Sequence, residues 1–192
     1  MTQRIVIGIS GSSAPIYGIR LLEVLRRISG VETHLILSDA AALTIQLEAP
    51  GWTRKNVEAL ATHVHAPSDL AASISSGSFR THAMVVIPCS MKTLGNIAHS
   101  TGGDLLTRAA DVTLKERRVL ILVPRETPLH LGHLRNMVAV AEIGCVILPP
   151  IPAFYHRPKN IDDLINHTIG KILDLLGLEH RLFKPWTGLK EK

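Results

Sequence analysis

The chain has 192 residues, of which 46% are hydrophobic and 19% charged, and this composition excludes a largely disordered protein. The formal net charge of +5 suits anionic partners, but the basic residues are scattered and only 4% of residues are aromatic, which disfavours nucleic acid. No apolar segment approaches the roughly 20 residues of a membrane span, and the first residues do not resemble a signal peptide. We expect a single cytoplasmic domain over residues 1–192, with a polar tail from about residue 178.

Five short apolar runs alternate with helical patterns along the chain. The runs are nearly continuous in Val, Ile and Leu, as expected for parallel strands covered by helices on both faces. The predicted strands are Arg4–Ile9, Thr33–Leu37, Ala83–Ile87, Val119–Val123 and Cys145–Leu148. The predicted helices are Pro15–Ile28, Met91–Ser100, Leu105–Leu114, Leu131–Ile143 and Ile161–Leu176. This order predicts a three-layer α/β fold with a doubly wound parallel sheet, Rossmann-like, that binds ligands at the carboxyl ends of its strands.

The middle of the chain and the two cysteines add less. Residues 49–81 have weaker periodicity, and we expect them to cover one edge of the sheet with two short helices. Cys89 and Cys145 each lie at the end of a predicted strand, where buried structural thiols are common, so a disulfide is not expected. A nucleophilic role for Cys89 stays open, although the sequence identifies no histidine partner for it.

Small residues follow the first predicted strand. The segment 8–15, GISGSSAP, opens directly into the first predicted helix. Small side chains let backbone N–H groups approach an anion, and a helix N-terminus favours negative charge. The spacing matches neither the dinucleotide-binding nor the Walker A pattern, so the turn is equally consistent with a phosphate site and with a tight connection that binds nothing.

Polar residues follow the third and fourth predicted strands at the same edge of the sheet. Ser90 and Thr93 precede or begin a helix, where they either cap it or bind phosphate. Arg125 and Glu126 lie in a loop stiffened by two prolines. Glu126 is a candidate proton acceptor, and the alternative is an ordinary surface ion pair with Arg125.

A proline-rich loop with two aromatic residues follows the last predicted strand, over residues 149–158. Its prolines indicate a rigid segment, in which Phe154 and Tyr155 either line a pocket or close the core. Ten histidines occur in the chain, and His130 and His133 are separated by one helical turn. No third ligand accompanies them at helical spacing, so a metal site is not expected.

Taken together, these segments resemble those of the UbiX/Pad-type flavin prenyltransferases over nearly the whole chain. The motifs that carry the resemblance are long and distinctive. They are GISG at 8–11 with Ser13, ISSGSF at 74–79, PCSMKTL at 88–94, RAADV at 108–112, LKER at 114–117, RETPL at 125–129 and PAFYHRP at 152–158.

The resemblance implies a metal-independent enzyme that joins the dimethylallyl group of dimethylallyl phosphate to N5 and C6 of reduced FMN. The prenylated FMN then serves a separate UbiD-type decarboxylase. The resemblance also implies a homo-oligomer, commonly a dodecamer, whose prenyl site lies between subunits. Whether the donor is a monophosphate or a diphosphate stays open, as does the identity of the decarboxylase.

By resemblance, the site residues fall into three groups. The FMN contacts are Gly11, Ser12, Ser13, Ser38, Ser90, Met91, Lys92, Thr93 and Arg125. The residues that hold the donor phosphate are Lys115, Tyr155 and Lys171. The residues implicated in proton handling and phosphate departure are Ser13, Glu48 and Glu126, and Glu126 is the first choice for the base that takes the proton from flavin C6.

Two positions depart from the usual family pattern. Ala14 stands where the first turn usually has its last glycine, and if this position has a positive φ, alanine costs about 1 kcal/mol. Lys171 stands where arginine is usual, which keeps the charge but loses the bidentate fork. Both changes bear on rate rather than on the class of reaction.

Two other functions fit the same fold, because function resides in the site rather than in the scaffold. One is an FMN-dependent decarboxylase of the cysteine type, whose usual turn differs from the PCSMKT of residues 88–93. The other is a non-catalytic FMN carrier, which would bind FMN without consuming prenyl phosphate.

Overall fold

The computed structural model describes residues 2–186 and 188. The chain forms two compact units, divided between Pro149 and Pro150. The assignment of all 192 residues to one domain therefore stays a prediction. No helix among the described residues is long and apolar enough to cross a membrane.

The first unit contains a six-stranded sheet in which every neighbouring pair is parallel. The strands are β1 (Gln3–Ile9), β2 (Val31–Leu37), β3 (His63–His65), β4 (Ala83–Cys89), β5 (Val119–Pro124) and β6 (Val146–Ile147). Their order in space is β3-β2-β1-β4-β5-β6. The order reverses between β1 and β4, and the crevice outside their carboxyl ends is where doubly wound sheets bind ligands.

Seven α-helices and one 3₁₀ turn are present in the described part of the chain. They are α1 (Ile16–Leu25), α2 (Asp39–Glu48), α3 (Arg54–Glu58), the 3₁₀ turn Ser73–Ser75, α4 (Met91–Ala98), α5 (Leu105–Lys115), α6 (Leu131–Glu142) and α7 (Ile161–Leu175). The last helix belongs to the second unit, and the others belong to the first.

Burial explains why the strands were recognisable from sequence. All seven residues of β4 are buried, and five of the seven residues of both β1 and β2 are buried. A strand that is covered on both faces carries apolar side chains on both, so its sequence is a continuous apolar run rather than an alternation of apolar and polar residues. The predicted α/β class with a doubly wound parallel sheet is therefore confirmed.

The differences from the prediction lie where the pattern is weak. The 3₁₀ turn and α3 agree with the two short helices expected within residues 49–81, but that segment also contains β3, which was not predicted. Helix α2 was also not predicted as a separate helix, because only Ala41 and Ile45 are buried along it. Strand β6 has two residues rather than four.

Candidate active site at the carboxyl edge of the sheet

Ser10 joins the ends of the two strands at the reversal point. It follows β1 and is 2% exposed. Its hydroxyl donates to the carbonyl of Pro88 in β4 (2.8 Å) and accepts from the backbone N–H of Ser90 (2.7 Å). Buried hydrogen bonds to backbone groups are costly to break. These two bonds therefore hold the end of β1 at a fixed distance from the end of β4 and the loop that follows it.

Ser12 connects the same turn to the loop after β5. Its hydroxyl donates to the carbonyl of Arg125 (2.7 Å), and the N–H of Arg125 donates to the carbonyl of Cys89 (3.3 Å). Three consecutive loops at the carboxyl edge are thus linked by hydrogen bonds. The predicted FMN contacts Ser12 and Arg125 are brought together by this arrangement.

Ser13 and Glu48 form a pair at the same edge. The Ser13 hydroxyl donates to Oε2 of Glu48 (2.8 Å), and the backbone N–H of Ala14 donates to the same oxygen (2.7 Å). Glu48 is the last residue of α2, so the helix that was not predicted brings the carboxylate to the turn. Two of the three predicted proton-handling residues therefore lie in contact.

Ala14 adopts a left-handed conformation, with φ of 67°. This backbone region costs a residue with a Cβ about 1–2 kcal/mol. Position 14 therefore has the positive φ at which alanine in place of the usual glycine was expected to cost stability. The Ser13 hydroxyl and the Ala14 N–H nevertheless both reach Glu48, so alanine is accommodated here at a cost in stability.

Gly11 and Ser38 position the turn against α2. A Cβ built on Gly11 would overlap the Cβ of Ala40, so glycine is needed here for close approach. Ser38 is the N-cap of α2, and its hydroxyl oxygen accepts from the N–H of Ala41 (3.1 Å). A capping serine accepts through a lone pair, and its O–H is still available to donate to a ligand.

Ser90, Met91, Lys92 and Thr93 form the start of α4. Ser90 is the N-cap, and its hydroxyl oxygen accepts from the N–H of Thr93 (3.2 Å). The hydroxyls of Ser90 and Thr93 are also 3.0 Å apart. Met91 is half-buried and Lys92 is exposed. The sequence left open whether Ser90 caps the helix or binds phosphate, and the structure shows that it caps.

Helix α1 differs from its neighbours at its N-terminus. Among the described residues it is the one α-helix whose N-cap makes no side-chain hydrogen bond. The turn before it consists of small residues, and the Arg125 backbone is bonded to that turn through Ser12. An uncapped helix start beside a cationic residue suits a phosphate group. The residues at this edge therefore fit the phosphate of FMN.

Glu126 is the third predicted proton-handling residue. It is exposed, and Oε1 of its carboxylate accepts from the N–H of Thr127 (3.0 Å). An ion pair with Arg125, which the sequence left open as an alternative, is not formed in the described part of the chain. The carboxylate is thus open to solvent at the carboxyl edge.

Lys115 lies far from these residues within its own chain. It is the last residue of α5, just before β5 begins at Val119, and this places it at the amino edge of the parallel sheet. The six residues of β5 separate the two edges by roughly 17 Å at about 3.3 Å per residue. Its ammonium group pairs with Glu116 (2.7 Å). Lys115 therefore lies at the edge of the sheet opposite to the predicted flavin contacts of its own chain.

Tyr155 lies in the second unit, where its hydroxyl is 2.7 Å from Nε2 of His167. The His156 ring stacks on the His167 ring, with centroids 4.7 Å apart and planes at 5°. Burial, the neighbouring His156 and Lys171 lower the pKa of His167. His167 is therefore neutral at pH 7, and its hydrogen bond orients the Tyr155 hydroxyl. Sequence reasoning missed His167, because no spacing rule links it to Tyr155.

Lys171 lies one helical turn after His167 on α7. Its ammonium group pairs with Asp174 (3.1 Å), which also lies 3.0 Å from Nε2 of His180. Burial acts in the opposite direction, but hydrogen bonds from Lys171 and His180 lower the pKa of Asp174. Two aromatic residues near the end of the described chain also make contacts here. The Phe183 ring lies 4.7 Å from the ring of His167, and the Trp186 ring lies 6.1 Å from that of Tyr155.

The two cysteines are structural. Cys89 is 0% exposed and Cys145 is 8% exposed, and neither forms a disulfide. Burial raises the pKa of Cys89 well above its ordinary value and raises that of Cys145 to about 11. A thiol must ionise to act as a nucleophile, so this burial disfavours a nucleophilic Cys89.

Ser10 is the main residue of this edge to which the sequence analysis assigned no role. The one signal for it was its type, because a serine directly after a buried strand and before a glycine needs a hydrogen-bond partner. Its two partners lie 78 and 80 residues away along the chain. Only the parallel pairing of β1 with β4 shows which groups those are.

Comparison with known proteins supports one family. A family model described as Flavoprotein matches residues 1–173. The chain is 56% identical over 188 residues to the flavin prenyltransferase UbiX of Escherichia coli K12, which covers 97% of this chain and 99% of that protein. The solved structure of AnUbiX (PadA1) in complex with FMN and dimethylallyl pyrophosphate has a TM-score of 0.95 and 48% identity, and the match covers 99% of this chain and 100% of that one.

A further solved structure is the dodecameric FMN-dependent Ubix-like decarboxylase from Escherichia coli O157:H7. Its TM-score is 0.94 at 48% identity, and the match covers 97% of this chain and all of that one. The identity and the coverage hold over the whole length of these relatives and extend across both units. The chain therefore belongs to the UbiX flavin prenyltransferase family.

Proposed function

We propose that this protein joins the dimethylallyl group of dimethylallyl phosphate to N5 and C6 of reduced FMN. The observation that carries the proposal is the Ser13–Glu48 pair beside the uncapped start of α1. It combines a carboxylate and a hydroxyl with a phosphate-binding turn at the point where the strand order reverses. Family membership supports the same reaction.

In this proposal the carboxyl edge holds FMN. Gly11, Ser12 and Ser13 present backbone and hydroxyl groups to its phosphate, and Arg125 supplies a positive charge. Ser38 and the start of α4, with Ser90, Met91, Lys92 and Thr93, complete the binding residues. Reduced FMN supplies the electron-rich N5 and C6 atoms that form the new bonds.

The remaining residues act on the donor. The bond between the allylic carbon and the phosphate oxygen breaks with its electron pair on the phosphate, so cations around that phosphate stabilise the transition state. Lys115, Tyr155 and Lys171 are proposed to hold it, without a metal. N5 bonds to the allylic carbon and loses its proton, which Ser13 and Glu48 pass to the departing phosphate. Protonation of the prenyl C=C bond then lets its tertiary carbon bond to C6, and Glu126 takes the proton that C6 loses. The flavin gains C5H8.

We further propose that the active enzyme is a homo-oligomer, a dodecamer, with the donor site between subunits. A dodecameric relative supports this assembly. The position of Lys115 at the amino edge supports it independently, because this lysine reaches a carboxyl-edge site only if that site belongs to a neighbouring subunit. Cytoplasmic residence and delivery of prenylated FMN to a UbiD-type decarboxylase stay predictions.

The test is anaerobic incubation of the protein with reduced FMN and dimethylallyl phosphate, followed by mass spectrometry of the released flavin. The expected result is a gain of one C5H8 unit, and parallel reactions with the diphosphate identify the donor. Tight binding of unmodified FMN with either donor would favour an FMN carrier. Turnover of a cysteinyl substrate instead would favour a decarboxylase of the cysteine type.

A further inference from the structure

Three potential metal ligands converge on one face of the sheet, on strands β2 and β3. Glu32 and His34 are two residues apart on β2, so they share a face, and His34 is paired in register with His63 of β3. Oε1 of Glu32 lies 2.8 Å from Nε2 of His63 and 3.4 Å from Nε2 of His34. The three ligand atoms all lie within 4.8 Å of one another.

These distances suit a transition-metal ion. Two imidazole nitrogens and one carboxylate oxygen form a donor set that Zn²⁺ and similar divalent ions prefer. In a tetrahedral zinc site with bonds of about 2.0–2.1 Å, neighbouring ligand atoms lie roughly 3.4 Å apart. The distance from Glu32 to His34 equals this value, whereas Glu32 and His63 are hydrogen-bonded at 2.8 Å. Side-chain rotations that replace this hydrogen bond with two metal bonds would complete the coordination.

His34 is held ready to bind such an ion. It is 3% exposed, and its Nε2 has no hydrogen-bond partner among the described residues. Its Nδ1 lies 3.0 Å from Nε2 of His65. When His34 carries its proton on Nδ1 and donates it to His65, the lone pair on Nε2 faces Glu32 and His63. Metal-binding histidines are commonly oriented by a hydrogen bond of this kind.

The charges around the cluster are compatible with a cation. Nε of Arg4 lies 3.4 Å from Oε2 of Glu32, which leaves Oε1 facing the two imidazoles. Arg4 also stacks over the Phe79 ring at 4.7 Å, which holds the guanidinium on that side of the carboxylate.

We propose that Glu32, His34 and His63 bind one divalent transition-metal ion of the zinc class. The side chain of His63 is 49% exposed, so a water molecule completes the coordination from that side. Strand β3 is a three-residue edge strand, and the ion would fasten it to β2. None of the three ligands belongs to the proposed flavin or donor site, so the metal takes no part in prenyl transfer. We expected no metal site from the sequence, in which Glu32 and His63 are 31 residues apart.

The test is calorimetric titration of the tag-free full chain with Zn²⁺, together with Co²⁺ absorption spectra as a report of coordination. The wild type is expected to bind one equivalent. His63→Gln and Glu32→Gln are expected to weaken binding at least tenfold, and the half-exposed position of His63 makes misfolding of that variant a small risk. His99→Gln is the matched control, since His99 is an exposed histidine that contacts Asn136 instead (3.1 Å).

Thermal unfolding supplies a second measurement. Saturating Zn²⁺ is expected to raise the Tm of the wild type and of His99→Gln, but not that of His63→Gln, because a ligand that binds only the folded state stabilises it. The proposal is overturned if the wild type binds no Zn²⁺, or if His63→Gln binds it as tightly as the wild type. Prenyl transfer is not measured in either experiment, so failure of the proposed function would leave this test unaffected.

Discussion

The carboxyl edge of the sheet and the second unit use different chemistry to hold their polar groups. At the carboxyl edge, Ser10 and Ser12 bond to backbone groups, and these bonds do not depend on pH near neutrality. In the second unit, Tyr155 and Lys171 bond to His167 and Asp174, whose pKa values are both lowered. The first region is therefore a fixed framework, whereas the second depends on the ionisation of its side chains.

The largest expected effect comes from removing the charge at the carboxyl edge. Glu48→Gln keeps an oxygen that accepts from Ser13 and Ala14 but loses the ability to take a proton. We expect prenyl transfer to fall by roughly 10²–10⁴-fold with FMN affinity nearly unchanged, as measured by single-turnover mass spectrometry and flavin titration. Glu142→Gln, at the exposed end of α6, is the control. An unchanged rate for Glu48→Gln would remove this carboxylate from the mechanism.

Ser10→Ala tests whether the edge is a framework. It removes the acceptor for the Ser90 N–H and one donor to the Pro88 carbonyl, and the loss of such buried bonds costs roughly 1–3 kcal/mol in free energy of unfolding. Urea denaturation measures this change. Ser78→Ala, at an exposed position, is expected to stay within about 0.5 kcal/mol of the wild type. Equal stability of the two variants would show that Ser10 does not hold the loops together.

Ala14→Gly, also at the carboxyl edge, is expected to raise the free energy of unfolding rather than lower it. Glycine relieves a left-handed conformation that costs about 1–2 kcal/mol, and it loses about 0.4–1 kcal/mol because the unfolded chain gains entropy. We expect a net gain of up to about 1.6 kcal/mol in free energy of unfolding, measured by the same denaturation. Ala40→Gly, within the exposed first turn of α2, serves as the control and should lose stability. A loss at both positions would contradict the assigned φ.

The smallest expected effect concerns pH and the second unit. Because the pKa of His167 is lower in the folded protein than in the unfolded chain, the unfolded state binds more protons as the pH falls below about 6.5. Folding stability is thus complete above that pH and declines below it. His167→Gln should flatten the decline in Tm between pH 7 and pH 5. A slope identical to that of the wild type would assign the decline to other groups.

The fold was largely predictable because its strands are buried on both faces. The five predicted strands all occur, since runs of Val, Ile and Leu are sufficient to mark them. Helix α2 and strand β3 were not predicted, because most of their side chains are exposed and form no apolar pattern. Local pattern is informative only where burial imposes one.

The residues of the candidate site divide in the same way. Gly11, Ser13 and Ser90 lie next to strands whose ends were visible, so their place at the carboxyl edge followed from sequence, and the resemblance supplied their expected roles. The sequence by itself determined the order of strands and helices along the chain and the turn of small residues that follows the first strand. The resemblance to the family marked Ala14 as an unusual residue for its position.

Only the tertiary structure decided which distant groups meet. Parallel pairing joins Ser10 to Pro88, the course of α2 brings Glu48 to Ser13, and the register of β2 with β3 places His34 beside His63. It also separates Lys115 from the carboxyl edge of its own chain. The physical reason is that hydrogen bonds and coordination act over about 3 Å in space, whereas the patterns readable in a sequence extend only over neighbouring turns and strands.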